Sequence, residues 1–253
     1  MNLLNLFAMS GRIYASRIGS YLYASAAYAL SFAIATGIAI AFLIVDGAIA
    51  LIAGPGGAWI QNPLAAAAVA ASTLAGGLCF FYLVVASAGA YMHTCAKIGA
   101  GQQDTGVAQY VEYMAANSHS FFAIAIVPHT IWAAACTLFI GAAILLMQIN
   151  SLAIWAALIL CGGAWICIQI PFWFSFAAKV IEKKHSYEAI GSSLYVLLKK
   201  PIAALAIIFV IIILAAVPLA SALFYPIYFF VFLCPFASIL TLGFYEVQRG
   251  LLK

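Results

Sequence analysis

Residues 202–222 read IAALAIIFVIIILAAVPLASA, a run without a single charged side chain. An α-helix rises about 1.5 Å per residue, so a run of this length crosses the roughly 30 Å of hydrocarbon in a bilayer. Within hydrocarbon every backbone polar group must be paired inside the protein, which leaves helices and closed barrels. Barrel strands alternate apolar and polar residues, whereas this stretch is apolar throughout. The run therefore predicts a transmembrane helix.

The rest of the chain has the same character. Of its 253 residues, 68% are hydrophobic and 6% are charged, and the mean hydropathy is +1.17. Soluble domains carry about a quarter charged residues, so this composition excludes a water-soluble fold. We predict an all-α polytopic membrane protein, a single domain over residues 1–253, with six transmembrane helices near 20–45, 64–92, 120–147, 152–178, 202–222 and 225–246.

The positions of the basic residues predict the orientation. With the N-terminus inside, all ten Lys and Arg residues fall in cytoplasmic segments, and the only acid in an outer loop is Asp46. Basic residues are retained on the cytoplasmic side during insertion. Six helices with both termini in the cytoplasm, in the inner (plasma) membrane, follow from this bias. Because the net charge of +4 is concentrated at the membrane surface, we expect no nucleic-acid partner.

Several basic residues flank the predicted spans at the cytoplasmic surface. There they either attract anionic lipid headgroups or serve only to orient the chain. The residues concerned are Arg12, Arg17, Lys183, Lys184, Lys199 and Lys200.

Each odd-numbered span follows a short amphipathic stretch. The stripes are Leu3, Leu6, Phe7, Ile13 and Tyr14; then Val107, Tyr110, Val111 and Met114; then Tyr187, Ile190, Leu194 and Leu197. Such stripes predict helices that lie flat in the membrane interface before spans 1, 3 and 5. The chain then reads either as three copies of a surface helix plus a two-span hairpin, or as a polytopic protein with ordinary lead-in segments. Between the first two spans, residues 46–63 hold a Gly/Pro turn and are either interfacial or re-entrant.

Groups that carry chemistry are scarce. The chain lacks the metalloprotease, nucleophile-elbow and P-loop motifs, and the predicted spans hold acidic and basic residues only at their ends. Proton- and ion-coupled transporters place such groups within the membrane. Met92, His93 and Cys95 lie close together but lack the third or fourth ligand that a metal site needs. We therefore expect no enzyme activity, no cofactor and no metal.

One polar pair lies within the predicted spans. His129 and Thr130 follow Pro128 in the third span, and Gln169 precedes Pro171 in the fourth. His129 and Gln169 are each nine residues from the cytoplasmic end of their span, so the sequence predicts that they meet about 13 Å deep. They form either a polar ligand site or a hydrogen bond that locks the hairpin.

Two stretches carry a family resemblance. They are LFAMSGRIYASRIGSYLYASAAYAL at residues 6–30 and EAIGSSLYVLLKKPIAALAIIFVIIIL at residues 188–214. Over residues 6–45 and 182–250 the chain resembles the membrane domain fused to some glycerophosphodiester phosphodiesterases, and related six-span prokaryotic proteins. Those proteins have a Ser, an aromatic and a basic residue before the first and fifth spans, here Ser10, Tyr14 and Arg17, then Ser192, Tyr195 and Lys199. The resemblance implies a stand-alone membrane domain tied to envelope or lipid processes, with no catalytic residue.

Two functional hypotheses follow. The first is a non-catalytic inner-membrane protein that scaffolds, assembles with or regulates membrane partners, or forms a homo-oligomer. The second is a small permease or lipid-handling transporter with a polar pocket between spans 3 and 4, near His129 and Gln169.

Overall fold

The computed structural model describes residues 3–54, 57, 60–102, 106–147, 152–216 and 225–251. The helices in this part of the chain are α1 Leu3–Ser16, α2 Ile18–Ala53, α3 Pro63–Gly99, α4 Val107–Leu146, α5 Ala153–Gln169, α6 Ser175–Glu182, α7 Ser186–Lys199, α8 Pro201–Ala216, α9 Tyr225–Tyr228 and α10 Cys234–Arg249. A 3₁₀ turn over Ile170–Phe172 lies between α5 and α6, and a π-helical turn over Phe229–Leu233 joins α9 to α10.

The predicted all-helical fold is confirmed for the described residues, and five or six segments are candidate membrane spans. Five segments are long and apolar enough to cross a bilayer: Ile18–Ala53, Pro63–Gly99, Val107–Leu146, Ala153–Glu182 and Tyr225–Arg249. Helices α7 and α8 pass the same test only as a pair, and the chain bends by 107° between them. The predicted fifth span, 202–222, begins in α8, and its last six residues lie outside the described residues.

Several elements differ from the prediction. Residues 107–114 do not form a separate surface helix but are the first turns of α4, a continuous helix of 40 residues and about 60 Å. No Gly or Pro lies between Val107 and Val127, so nothing in the sequence stops the helix. Helices α2 and α3 likewise continue past their predicted ends at 45 and 92, to Ala53 and Gly99. The predicted span 152–178 is interrupted between Gln169 and Ser175. The turn predicted in 46–63 falls partly on residues 55, 56, 58 and 59, which lie outside the described residues.

Helices α1 and α7 are separate helices, as predicted. A hydroxyl from each one binds backbone groups that a helix break leaves unpaired in another segment. Pro235 has no N–H, so the carbonyl of Val231 loses its usual helical donor, and the Tyr14 hydroxyl donates to that carbonyl at 2.6 Å. Near Pro171, the Ser193 hydroxyl donates to the Pro171 carbonyl at 2.7 Å and accepts from the Phe174 N–H at 3.1 Å. Polar groups freed at a helix break inside a membrane need such partners.

Replacing Tyr14 by phenylalanine is expected to lower the free energy of unfolding by about 1–2 kcal/mol, because it removes the donor to the Val231 carbonyl. Thermal unfolding in detergent measures the effect. Tyr187→Phe is the matched control, since Tyr187 is 74% exposed. Equal melting temperatures for the two variants would contradict a supporting role for α1.

The first and last helical hairpins each contain an equivalent contact between a basic residue and a helix end. Arg17, just after α1, donates to the carbonyls of Ile98 and Gly99 at the end of α3. Lys199, the last residue of α7, donates to the carbonyl of Gln248 near the end of α10. Each basic residue thus binds the negative C-terminal end of the second helix in the hairpin that follows it. This shared contact supports the predicted similarity of the first and third units.

The apolar stripes of α1 and α7 have different surroundings. Leu6 is buried, and the Phe7 ring stacks on Phe236 of α10 at 6.2 Å, so the stripe of α1 covers protein. Helix α7 buries a different face, made of Ala189, Ser192, Ser193 and Val196. Its predicted stripe is left partly exposed, at Tyr187 and Leu194.

Candidate functional site

The predicted contact between His129 and Gln169 is absent from the described residues. His129 Nδ1 lies 2.7 Å from the carbonyl of Ala125 in its own helix, and its ring packs edge-on against Phe81 at 4.7 Å. Thr130 donates to the carbonyl of Ile126 at 2.8 Å. Both side chains are therefore bonded within α4, and neither contacts Gln169 in the described residues.

The direction of the His129 side chain explains the difference. Its ring packs on Phe81, so it faces α3 rather than α5 and Gln169. Counting residues from the predicted helix ends could not reveal which neighbouring helix this side chain faces.

Gln169 instead lies on the wall of a cavity of about 560 Å³. We call it the Gln169 cavity. It is bounded by α3, the α5–α6 segment, α8 and α10, and its lining is apolar except for Gln169, Ser238 and Thr241. The remaining lining residues are Met92, Trp165, Ile166, Ile170, Phe172, Trp173, Phe176, Ile208, Ile212, Ala215 and Ala237.

The Gln169 amide is the unusual group in this lining. Its Nε2 atom is shielded from solvent and has no hydrogen-bond partner in the described part of the chain. A buried amide donor without an acceptor costs about 1–3 kcal/mol. An apolar cavity with one unsatisfied donor just behind its wall suits a mainly apolar ligand with an oxygen acceptor, once the amide turns toward the cavity.

The cavity extends from the middle of the bundle toward one end, where basic residues gather. Thr241 is eight residues, or about 12 Å, before the end of α10 at Arg249, and Met92 is about 10 Å before the end of α3. At that end Arg17 contacts the terminus of α3, and Arg249 contacts Glu182 at the end of α6. We call this the basic end.

An opening to the side of the bundle leads to the cavity. Helix α5 packs mainly on α4, whereas α8 packs on α7, α10 and the π-helical turn. Extensive packing between α5 and α8 is absent from the described residues, and the cavity lies between them. Trp165 and Ile166 at the edge of the cavity are each 44% exposed. The side of the cavity between α5 and α8 therefore faces the surroundings of the bundle.

The opposite wall is densely packed. The Phe176 ring lines the cavity and packs against Phe121 at 5.1 Å. Phe121 is fully buried, and its ring lies directly over Gly89 of α3. The absence of a side chain at Gly89 lets α4 approach α3 closely, as small residues do in membrane helices.

The predicted surface basic residues divide into two groups. Arg17, Lys184 and Lys199 are bonded within the protein: Arg17 and Lys199 to carbonyls, and Lys184 to Glu182 at 2.8 Å and Ser192 at 2.7 Å. Arg12, Lys183 and Lys200 form no hydrogen bond or ion pair with the described residues. Only the second group is free to meet lipid headgroups.

Glu182 organises the basic end. Its carboxylate accepts two hydrogen bonds from Arg249, at 2.7 and 3.0 Å, and others from Tyr245 and Lys184. The Tyr195 ring lies beside Arg249 and Lys199, at 5.2 and 5.6 Å. These contacts join α6, α7 and α10 into one charged network at the basic end of the bundle.

The side chains of Met92, His93 and Cys95 lie in three different environments. Met92 lines the Gln169 cavity, the His93 ring stacks on Tyr113 at 3.6 Å, and Cys95 is buried. Within the described residues no three His, Cys, Asp or Glu side chains come together in a way that could hold a metal ion.

Asp46 lies in α2 rather than in the predicted outer loop. It is 8% exposed, and the Thr73 hydroxyl of α3 donates to its Oδ2 at 2.7 Å. The sequence prediction ended the first span one residue too early to include this side chain, because a single acid after an apolar run is typical of a loop.

The chain matches no protein-family model, no curated protein and no solved structure. The resemblance to the membrane domain of glycerophosphodiester phosphodiesterases stays a prediction. Most of the residues that carry it have partners within this chain: Tyr14, Arg17, Ser192, Tyr195 and Lys199.

Proposed function

We propose that this protein is a non-catalytic, lipid-handling membrane protein that binds one amphiphilic molecule in the Gln169 cavity. The observation that carries the proposal is the buried, unpartnered Nε2 of Gln169 on the wall of an otherwise apolar cavity of about 560 Å³. The lining offers apolar side chains for a hydrocarbon chain and one amide donor for an oxygen.

The chemistry of the lining defines the ligand class. Trp165, Trp173 and Phe176 supply large apolar surfaces. When its amide turns toward the cavity, Gln169 donates to a carbonyl, ester or carboxylate oxygen of the ligand. The hydroxyls of Ser238 and Thr241 add two weaker polar contacts. A fatty acid or the ester region of a membrane lipid meets these requirements.

Entry from the bilayer is part of the proposal. A lipid enters sideways between α5 and α8, past Trp165 and Ile166, both partly exposed. Its polar end then lies toward the basic end, about 12 Å from the terminus of α10.

The proposed topology is six spans with both termini in the cytoplasm of an inner membrane. Contacts that gather Arg17, Lys199, Arg249 and the ends of α3, α6 and α10 at one end support a common cytoplasmic side. The exposed stripe of α7 supports an interfacial position for that helix. Arg12, Lys183 and Lys200 are the proposed contacts for anionic lipids, and no nucleic-acid partner is proposed.

The scaffolding hypothesis is the alternative. The long helices α2, α3 and α4 reach 36, 37 and 40 residues, more than a bilayer needs, and offer surface for a membrane partner or a second copy. A stable complex with another protein and an empty Gln169 cavity would favour it.

Replacing Gln169 by leucine is expected to reduce lipid binding without lowering the thermal stability of the protein. In protein stripped of lipid, the melting temperature stays equal or rises, because the variant removes an unsatisfied buried donor. Lipid retained after gentle extraction falls about tenfold, since the ligand oxygen loses its partner. Native mass spectrometry counts the retained lipid.

His129→Leu is the matched control. It removes the other polar side chain of the predicted pair, which is bonded to its own helix, so lipid retention stays at the wild-type level. Loss of lipid in both variants, or in neither, would contradict binding at Gln169.

A further inference from the structure

Two cysteines meet between α4 and α5. Cys136 of α4 and Cys161 of α5 are both free thiols, and a hydrogen-bond contact joins their side chains. Both residues lie in candidate membrane spans. Neither residue lines the Gln169 cavity, so this contact is separate from the lipid site proposed above.

A second contact in the same hairpin agrees with the first. The Trp132 indole donates to the Cys161 carbonyl at 2.9 Å. Trp132 is one helical turn before Cys136, so the two side chains lie on the same face of α4. This face of α4 therefore meets α5 at Cys161.

Small side chains lie on both sides of the thiol pair. Helix α5 packs mainly on α4, and its buried residues are Ala157 and Cys161, one turn apart. On α4, Ala143 is buried two turns after Cys136. Alanine at such positions lets membrane helices approach closely. A disulfide needs Cα atoms within about 7 Å of each other, which is an approach that small side chains permit.

The thiol pair is reached from the bilayer rather than from water. Cys136 is half-buried, and the nearby side chains of Leu138 and Leu160 are 73% and 55% exposed. Polar oxidants such as peptide disulfides do not enter hydrocarbon, because burying their polar groups costs too much free energy. An oxidant that meets Cys136 must therefore be soluble in the bilayer.

The pair lies in the half of the hairpin away from the basic end. Cys136 is about 15 Å before the end of α4 at Leu146, and Cys161 is about 12 Å after the start of α5 at Ala153. In the proposed topology this is the outer half of the membrane. Cytosolic thiols, which keep cysteines reduced, do not reach that side.

We propose that Cys136 and Cys161 form a redox-active pair that a membrane-soluble quinone oxidises to a disulfide. Two S–H bonds break and one S–S bond forms. The two hydrogen atoms, with their two electrons, pass to the two carbonyl oxygens of the quinone, which becomes a hydroquinone. Two sulfur atoms are fewer ligands than the three or four of a usual metal site, so oxidation is the chemistry that fits the pair. The bond ties α5 to α4 one turn before Trp165, at the edge of the opening described above.

Counting thiols in the full chain tests the proposal. The reduced protein in nanodiscs is treated with decylubiquinone, a fully substituted benzoquinone that cannot alkylate thiols, and is then denatured and labelled with N-ethylmaleimide. Without quinone the chain takes up six labels, one for each cysteine. Quinone is expected to remove two labels, dithiothreitol to restore them, and peptide mass spectrometry to find residue 136 linked to residue 161.

Three variants locate the reaction. Cys136→Ser is expected to keep its five remaining labels in the presence of quinone, because Cys161 has lost its partner. Cys161→Ala places another small apolar side chain in the interface and is expected to give the same result. Cys167→Ser is the matched control, since Cys167 is an exposed cysteine of the same helix. It is expected to lose two labels, as the wild type does.

The proposal is overturned if the wild-type protein keeps six labels in the presence of the quinone. It is also overturned if Cys136→Ser or Cys161→Ala loses two labels, since a different pair of thiols would then have reacted. Neither result bears on lipid retention at Gln169 in the reduced protein, so failure here and failure of the lipid-handling function can be distinguished.

Discussion

Replacing Gly89 by alanine is expected to lower the free energy of unfolding by about 3 kcal/mol, at the upper end of the usual cost of overpacking. A Cβ atom at this position would lie 2.4 Å from the ring of Phe121. The ring has no room to withdraw, because it is fully buried and packs against Tyr113 at 6.2 Å and Phe176 at 5.1 Å. Unfolding in mixed micelles of mild detergent and SDS measures the change.

Gly77→Ala is the matched control for this substitution. Gly77 lies in the same helix, α3, and a Cβ atom there meets nothing within 4 Å. That variant is expected to be neutral or slightly stabilised. Adding Phe121→Leu to Gly89→Ala is expected to restore part of the lost stability by making room for the methyl group. Equal stabilities for the two glycine variants would contradict the close packing of α3 on α4 behind the Gln169 cavity.

Replacing Ala237 by phenylalanine is expected to reduce lipid retention about a hundredfold. Ala237 lies on α10 in the lining of the Gln169 cavity, so a phenyl ring at this position occupies space that the ligand needs. The protein is expected to keep its melting temperature, because the ring enters an existing cavity and buries apolar surface there. Titration of lipid-stripped protein with cis-parinaric acid, a fluorescent fatty acid excited by energy transfer from Trp165 and Trp173, measures binding.

Ala26→Phe is the control for the added ring. Ala26 is exposed on α2 and does not line the Gln169 cavity. Its titration curve is expected to match that of the wild type. If Ala237→Phe binds the probe as tightly as Ala26→Phe, the fatty acid binds elsewhere on the protein.

Local sequence pattern was enough to predict the helices but not their ends. The apolar run of 202–222 and its counterparts predict membrane-spanning helices because hydrophobic length is a property of each segment alone. The prediction of a break before 120 was wrong, since an amphipathic stripe at Val107, Tyr110 and Met114 does not by itself end a helix. Breaks occur where Pro171 and Pro235 remove donors, and α1 and α7 then supply hydroxyls from distant positions.

The candidate site could be predicted only in part, for a related reason. A glutamine before a proline in an apolar span marks Gln169 as unusual on sequence alone. Its predicted contact with His129 is absent because the His129 ring packs on Phe81 of α3, and a linear sequence does not show which neighbouring helix a side chain faces. Ser238 and Thr241 gave no signal, since small polar residues are common in membrane helices. Their role depends on which face of α10 meets the cavity, and that is set by the packing of all its neighbours.

Photocrosslinking in native membranes tests the central claim most directly. A phospholipid with a diazirine in its acyl chain is incorporated, the sample is illuminated, and adducts are mapped by peptide mass spectrometry. The lipid-handling function predicts adducts concentrated on residues that line the Gln169 cavity, above all Trp165, Ile212 and Ala237, with loss of those adducts in Ala237→Phe. Adducts spread evenly over the exposed faces of α2, α3 and α4, and unchanged in Ala237→Phe, would contradict it.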